Sequence, residues 1–263
     1  KSLKEHLIIL QLGSKNDVIK IMNYPILTLE NLNQIDFHEG AVILVDKPYE
    51  RTSFFVVDKL RRAIQNRTHI KPKIGHAGTL DPLATGLLIL CTGKMTKKIS
   101  DFQDFEKTYS GTFTLGATTP SFDRETPINK EFNIDLIDQS LIESIRLSFL
   151  GPQELIPPTH SAVKVDGRRA YKLARKGEQM ELKPRNIIIH SIDINADLFP
   201  IIQFKVQCSK GTYIRSIAHE FGKRLGSGAY LSSLSRDQIG PYSLSKAWHF
   251  DGLKELLYQS DHE

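Results

Sequence analysis

Apolar and polar positions fall into clear periods only from residue 41 onward. Residues 41–45 are an unbroken apolar run of strand length and read as a buried strand. Thr52 or Ser53 can then cap a helix whose apolar face is Phe54, Val57, Leu60 and Ile64. Residues 87–91, entered from Gly86 and left at Gly93, form another short buried strand. Over 106–115, Tyr109, Phe113 and Leu115 alternate with Thr108, Ser110, Thr112 and Thr114, which predicts a strand with one wet face. Ser140 and Glu143 have the spacing of a capping box, opening a helix that Gly151-Pro152 closes. Asp166-Gly167 turns the chain after 161–165, and a basic helix follows, ending at Gly177. Ile202, Phe204, Val206 and Cys208 alternate with Gln203, Lys205 and Gln207, giving a further half-exposed strand. After Gly211, the positions Ile214, Ile217, Ala218, Phe221 and Leu225 mark an amphipathic helix. Strands and helices interleave irregularly, and neighbouring strands suit antiparallel pairing, so the fold class is α+β in one domain. Residues 1–40 show no sustained period and read as an extension.

Composition narrows the function classes. The chain has 263 residues, 40% hydrophobic and 25% charged, which excludes collagen-like, low-complexity and wholly disordered proteins. No apolar run approaches the ~18 residues of a membrane span. The two cysteines, Cys91 and Cys208, each sit in an apolar or alternating stretch and read as buried thiols of a reduced, cytoplasmic protein. No Cys-x-x-Cys or His-Glu-x-x-His pattern occurs, so neither a zinc site nor any other metal is expected. The net charge of +5 is unevenly spread. Residues 58–73 hold six Lys/Arg against Asp58 alone, and residues 164–185 hold eight against three acids. Two such clusters suit a polyanion, or else mark solvated helix faces.

Two phosphate-binding patterns fail on inspection. Between Gly86 and Gly93 stand six residues rather than four, and they form the strand, so no P-loop is present. Gly226-Ser227-Gly228 lacks a third glycine and follows a helix, so it is no dinucleotide fingerprint. His219-Glu220 reads as a surface pair.

The informative segment is Gly75-His76-Ala77-Gly78-Thr79-Leu80-Asp81-Pro82-Leu83-Ala84-Thr85-Gly86. Three glycines and a proline shape a loop whose only ionisable side chains are His76 and Asp81. Asp before Pro is also a common helix start, with Asp81 as N-cap and Pro82 at the first helical position. The whole string resembles the catalytic loop of the TruB family of pseudouridine synthases. Other segments resemble that family in the same order: Asp46-Lys47-Pro48 with Thr52-Ser53; Glu106-Lys107-Thr108-Tyr109 with 115–119; Pro157-Pro158 with 161–164 and 167–171; Gly211-Thr212-Tyr213-Ile214-Arg215; and Gly228-Ala229 with Leu231 to Leu234. Together they span roughly residues 41–245.

The resemblance implies a pseudouridine synthase fold, a central mixed but mainly antiparallel sheet flanked by helices, over 41–250. It implies isomerisation of uridine 55 in the TΨC loop of tRNA, with no cofactor, no membrane and no obligatory protein partner, on a monomer. By the same resemblance Asp81 is the nucleophilic or base carboxylate. Tyr109 packs on the target uracil and takes part in proton transfer from C5, Tyr213 and Leu234 line the pocket, and Arg215 pairs with Asp81. His76 fills space vacated by flipped-out nucleotides, and Lys47 supports the loop. Flipping fits the chemistry, because C1′ and C5 of a stacked uridine are not accessible together. The helix over 168–176 would follow tRNA phosphates.

Three departures stand out. Glu50 occupies a position where the family has Gly, which predicts a looser turn. Residues 119–123 match the family's acidic stretch only loosely, so Asp123 receives no role. Residues 251–263 leave room for a tail but not for the RNA-binding PUA domain that many relatives carry. Two other classes stay open on the residues alone: a non-catalytic RNA-folding protein on the same fold, and a nucleoside hydrolase, which ordinarily needs a second placed carboxylate.

Overall fold

A computed structural model describes residues 24–259 apart from 162, 166, 171, 172, 174, 175, 177 and 179. In chain order the elements begin with β1 (Val42–Lys47), α1 (Ser53–Thr68), β2 (Ile74–His76), β3 (Ala84–Thr92), α2 (Ile99–Asp104), β4 (Lys107–Leu115), β5 (Ala117–Thr118) and β6 (Lys130–Glu131). They continue with α3 (Gln139–Ser148), β7 (Gly151–Leu155), β8 (Lys164–Val165), β9 (Arg168–Arg169), β10 (Arg185–Leu198) and β11 (Ile201–Cys208). The last are α4 (Ile214–Leu225), β12 (Ala229–Ile239), β13 (Tyr242–Ser243), β14 (Trp248–His249) and α5 (Phe250–Tyr258).

Ten strands make one sheet, ordered β14-β1-β3-β12-β4-β11-β10-β7, with β2 on β3 and β13 on β12. Among the described strands of this sheet, β1–β14 and β3–β12 run parallel and the other pairs antiparallel. The expected α+β class and mixed, mainly antiparallel sheet are therefore present.

Period-2 alternation explains why both faces of this sheet are covered. On β1 and β3, Ile43, Val45, Leu88 and Leu90 pack towards α1 and α5, joined by Val56, Leu60, Ile64, Leu253 and Leu257. Their alternates Val42, Leu44, Leu87, Ile89 and Cys91 pack with Phe102 of α2. On the other half of the sheet, Phe113, Ile202, Phe204 and Val206 meet Ile142 of α3 and Ile217 and Phe221 of α4.

Several local expectations are corrected. Helix α1 starts at the Thr52 cap, whose side chain accepts from Phe55 N, but its buried stripe runs through Val56, Val57, Leu60, Ala63 and Ile64. Phe54 is 65% exposed. The cap of α3 is Asp138, which accepts from Leu141 N, rather than a Ser140–Glu143 box. Residues 24–40 are no free extension: Leu27, Leu32 and Phe37 are buried, and Trp248 Nε1 donates to Leu27 O at 3.1 Å. The 250/251 boundary also falls inside an element, because α5 buries Leu253 and Leu257. Glu50 does not loosen its turn, since it takes the left-handed φ of 58° that the glycine would have supplied. β8 pairs with β9 around the expected turn, whose Asp166 lies outside the described residues. Residues 168–169, expected to open the basic helix, are strand instead, and most of the rest of that helix lies outside the described residues.

Candidate active site

The glycine-rich string is the turn of a β-hairpin. β2 pairs with β3 from Ile74↔Thr92 to His76↔Leu90, and Ala77 N extends the ladder to Ile89 O. The chain then loops out and returns through Pro82-Leu83 straight into β3, with Ala84 N donating to Asp81 O at 3.1 Å. No helix follows Asp81, so the N-cap alternative falls away.

Three side chains hold this loop. Ser53 Oγ donates to Leu80 O at 3.1 Å and accepts from Leu80 N at 2.9 Å. Lys47, fully buried at the end of β1, donates through Nζ to the carbonyls of Pro48, Arg51 and Pro82. Burial lowers its pKa to about 8, with Arg236 acting in the same direction and Asp81 and Asp46 opposing. It is a loop support, as expected. Arg236, the third, donates to Gly78 O at 3.1 Å.

Asp81 meets Arg215 across 134 residues of sequence. Arg215 lies in the first turn of α4, and its Nε is 2.9 Å from Asp81 Oδ2 and 3.6 Å from Asp123 Oδ2. Its two terminal nitrogens donate to Ser121 O at 3.1 Å and His160 O at 2.9 Å. The guanidinium side chain is only 3% exposed, whereas that of Asp81 is 38% exposed at the mouth of a cleft. Asp81, Leu83, Ala84, Asp123, Leu231 and Leu234 line that cleft together with Arg124 and Ser232-Ser233. Burial raises the Asp81 pKa above the ordinary carboxylate value; Arg215 pulls it down, while Asp123 and Glu125 push it up.

Leu234 reaches the cleft because β12 lies between β3 and β4, with Leu234 opposite Ala84 and Gly111. Tyr109 of β4 is buried, lies opposite Arg236 of β12 and is close enough to feel the Asp81 charge. Burial raises its pKa, with Arg236 opposing. His76 ends β2 at the foot of the loop; burial and Arg236 lower its pKa, and its Nδ1 is buried without a partner. Tyr213 is the residue before α4, two positions from Arg215, and the Arg185 guanidinium lies 5.9 Å from its ring. Thus Asp81 meets Arg215 and shares a cleft with Leu234, and its charge reaches Tyr109; no contact of His76 or Tyr213 with Asp81 is seen among the described residues.

Two residues escaped the sequence reading. Asp123 is 5% exposed and shares Arg215 with Asp81. It is presented by Phe122, which adopts φ 63° and stacks on His219 with ring centroids 3.8 Å apart, so His219 is no mere surface residue. Arg236 is 2% exposed among the strands. Among the described residues, no group of three or more His, Cys, Asp or Glu is arranged to hold a metal ion. Nor is any described helix long and apolar enough to cross a membrane.

The basic run 58–73 divides on inspection. Arg61 and Arg62 both approach Asp58, and Arg67 donates to Asn33 and to Gln259 O. Lys71 and Lys73 are exposed immediately before the strand that ends at His76.

Known proteins resemble this chain over most of its length. The sequence pattern of the family described as "TruB family pseudouridylate synthase (N terminal domain)" matches residues 61–214. A "tRNA pseudouridine synthase B" of Flavobacterium johnsoniae is 50% identical over 224 residues, which are 84% of this chain and 98% of that protein. One of the same description from Phocaeicola vulgatus is 47% identical over 230 residues, 87% of this chain and 98% of the relative. Among solved structures, a chain in "Crystal Structure of a Cbf5-Nop10-Gar1 Complex" superposes with a TM-score of 0.64 at 26% identity. That match covers 84% of this chain and 55% of the solved one, so this chain spans about half the length of its structural neighbour.

Proposed function

The chain belongs to the TruB family of pseudouridine synthases, and on that premise we propose that it converts uridine 55 in the T-loop of tRNA to pseudouridine, with Asp81 as the reacting carboxylate. The observation that carries this is a half-exposed carboxylate at a cleft mouth, gripped at 2.9 Å by an arginine that is itself 3% exposed. The reaction breaks C1′–N1, turns the uracil and forms C1′–C5; a proton leaves C5 and one is gained at N1. It exchanges no electrons and no phosphate. One ionised carboxylate, a wall for the turning base and a group to manage the C5 proton suffice. Arg215 keeps Asp81 ionised against its desolvation, Leu234 supplies the wall, and the Tyr109 hydroxyl receives or relays the C5 proton. Tyr213 and His76 border the space that the extruded nucleotide and its neighbours enter. Lys71 and Lys73, exposed just before β2, and Arg185, beside the Tyr213 ring, are the positive charges along which the flanking phosphates lie. The enzyme acts in the cytoplasm as a monomer without a cofactor.

Asp81→Asn tests the reading, because it keeps the side chain's size and removes the nucleophile or base. Pseudouridine formation on a tRNA transcript is expected to vanish, while tRNA affinity persists and stability changes by about 1 kcal/mol or less. A transcript with cytidine at position 55 is expected to remain unmodified. An active Asp81→Asn enzyme overturns the assignment.

A further inference from the structure

Two arginines are buried at this site, and only one of them meets carboxylates. Arg215 faces Asp81 and Asp123, whereas among the described residues no carboxylate lies within ion-pair distance of Arg236. Burying a guanidinium without a counter-ion is expensive, and such an arrangement persists where the cation is used.

The contacts of Arg236 show what it joins. It lies on β12 opposite Gly86 of β3 and Tyr109 of β4. Its Nε donates to Leu87 O at 2.8 Å, and a terminal nitrogen donates to Gly78 O at 3.1 Å. Tyr109 is its cross-strand neighbour on β4, within reach of its charge. Gly78 precedes Asp81 by three residues in the loop, and Leu87 follows the loop on β3. One planar fork therefore ties the carboxylate's loop to the strand leaving it, directly beside the tyrosine. A lysine could supply the charge but not this geometry.

We propose that Arg236 is a positioning residue for the isomerisation, fixing the Tyr109 hydroxyl relative to the Asp81 loop so that the carboxylate and the hydroxyl address one uridine together. The inference rests on the roles given above to Asp81 and Tyr109. Its physical content is that two groups from different strands must meet one base within a fraction of an ångström. Losing that alignment costs roughly 100-fold in rate without loss of binding. The guanidinium charge also favours the ionised phenol against burial.

The test compares Arg236→Gln and Arg236→Lys with wild type in three measurements: single-turnover pseudouridine formation at saturating tRNA, tRNA Kd, and thermal melting. Tyrosine labelled with ¹³C at Cζ adds a fourth, with the Tyr109 signal assigned by its absence in Tyr109→Phe. For Arg236→Gln the expected result is a rate lower by roughly 100-fold with Kd within about threefold, together with a displaced Tyr109 Cζ resonance. Arg236→Lys is expected to recover part of the rate but not the resonance position. A wild-type rate in folded Arg236→Gln overturns the proposal, as does an unchanged Tyr109 resonance. Failure of both variants to fold also overturns it, since the arginine is then a structural brace. Asp81→Asn run alongside separates the two levels. If that variant is active, the reading of the site fails; if it is inactive while Arg236→Gln turns over normally, only this inference fails.

Discussion

Replacing Arg215 by Met removes one cation from the centre of four contacts, and the structure lets the cost be apportioned. The carbonyls of Ser121 and His160 each lose a charged donor, at 3.1 and 2.9 Å. Asp81 loses its partner too, but its half-exposed carboxylate can rehydrate and contributes little to the loss. Asp123 cannot, because it is 5% exposed and keeps one described donor, Glu125 N at 2.9 Å. Stranding a buried carboxylate in this way costs about 3–5 kcal/mol, which absorbs much of a typical domain's total stability. In a chain of this size the midpoint of thermal unfolding should fall by roughly 10 °C. Urea unfolding, with m checked against wild type, measures the loss directly. The decisive comparison adds Asp123→Asn to Arg215→Met. With the stranded charge removed, about 1–3 kcal/mol should return, although turnover remains absent. A loss below about 1 kcal/mol in the single variant, or no recovery in the double, would refute the claim that one buried arginine serves two carboxylates.

Other consequences are open to simpler measurements. The Asp81 pKa is raised, so the single-turnover rate should fall on its acid side at a higher pH than an exposed aspartate would give, and Glu125→Gln should move that limb to lower pH; an unmoved limb removes Asp81 as its source. A raised folded-state pKa means that Asp81 favours the fold below its unfolded pKa and loses this as pH rises through the folded value. Asp81→Asn should therefore gain stability relative to wild type between pH 4 and 7 in parallel melts. Gly86→Ala should prevent or severely weaken folding, because a Cβ there would lie 2.5 Å from Arg236 O at a φ of 98°, and a soluble variant melting like wild type would contradict the close β3–β12 approach. A chain begun at Met22 should retain turnover, whereas one begun at Gly40, without Leu27, Leu32 and Phe37, should melt well below it.

How much of this was legible depended on whether burial followed from local period. Helix α4 was readable because its apolar positions recur at helical spacing, and β11 because its alternation is unbroken. The α1 stripe was misplaced at Phe54, since a small residue, Ala63, occupies the buried line that larger residues usually announce. Residues 24–40 gave no period because they anchor through single side chains dropped into the α1–α5 layer. The Asp81–Arg215 pair came from resemblance to known motifs, as no local rule joins residues 134 positions apart. Asp123 was obscured by Pro120, Ser121 and Phe122, where the expected acidic pattern breaks and a stacked aromatic in the left-handed region sets the direction instead. Arg236 sits in a polar run, Ser235 to Gln238, that reads as an exposed edge. It is buried only because β12 lies in the middle of the sheet, a fact of topology rather than of pattern.

That topology also explains the charge arrangement around the cleft. Lys47, Lys107, Arg215 and Arg236 are all buried, and the inner carboxylates near them are Asp46, Asp81 and Asp123. Burial lowers the pKa of both lysines to about 8, so each keeps its proton at neutral pH while bonded chiefly to carbonyls. The interior next to the loop is therefore cationic in excess, an arrangement that a free-standing fold gains nothing from. It becomes favourable when a polyanion closes over the mouth, because phosphates supply the missing counter-charge from outside. On the proposed reading, Arg215 in that set opposes protonation of Asp81 as water is expelled by an entering nucleotide, which is when burial would otherwise protonate it. Substrate attraction and carboxylate activation would then draw on one set of buried cations, held in place by strands whose order brings β1, β3, β12 and β4 side by side.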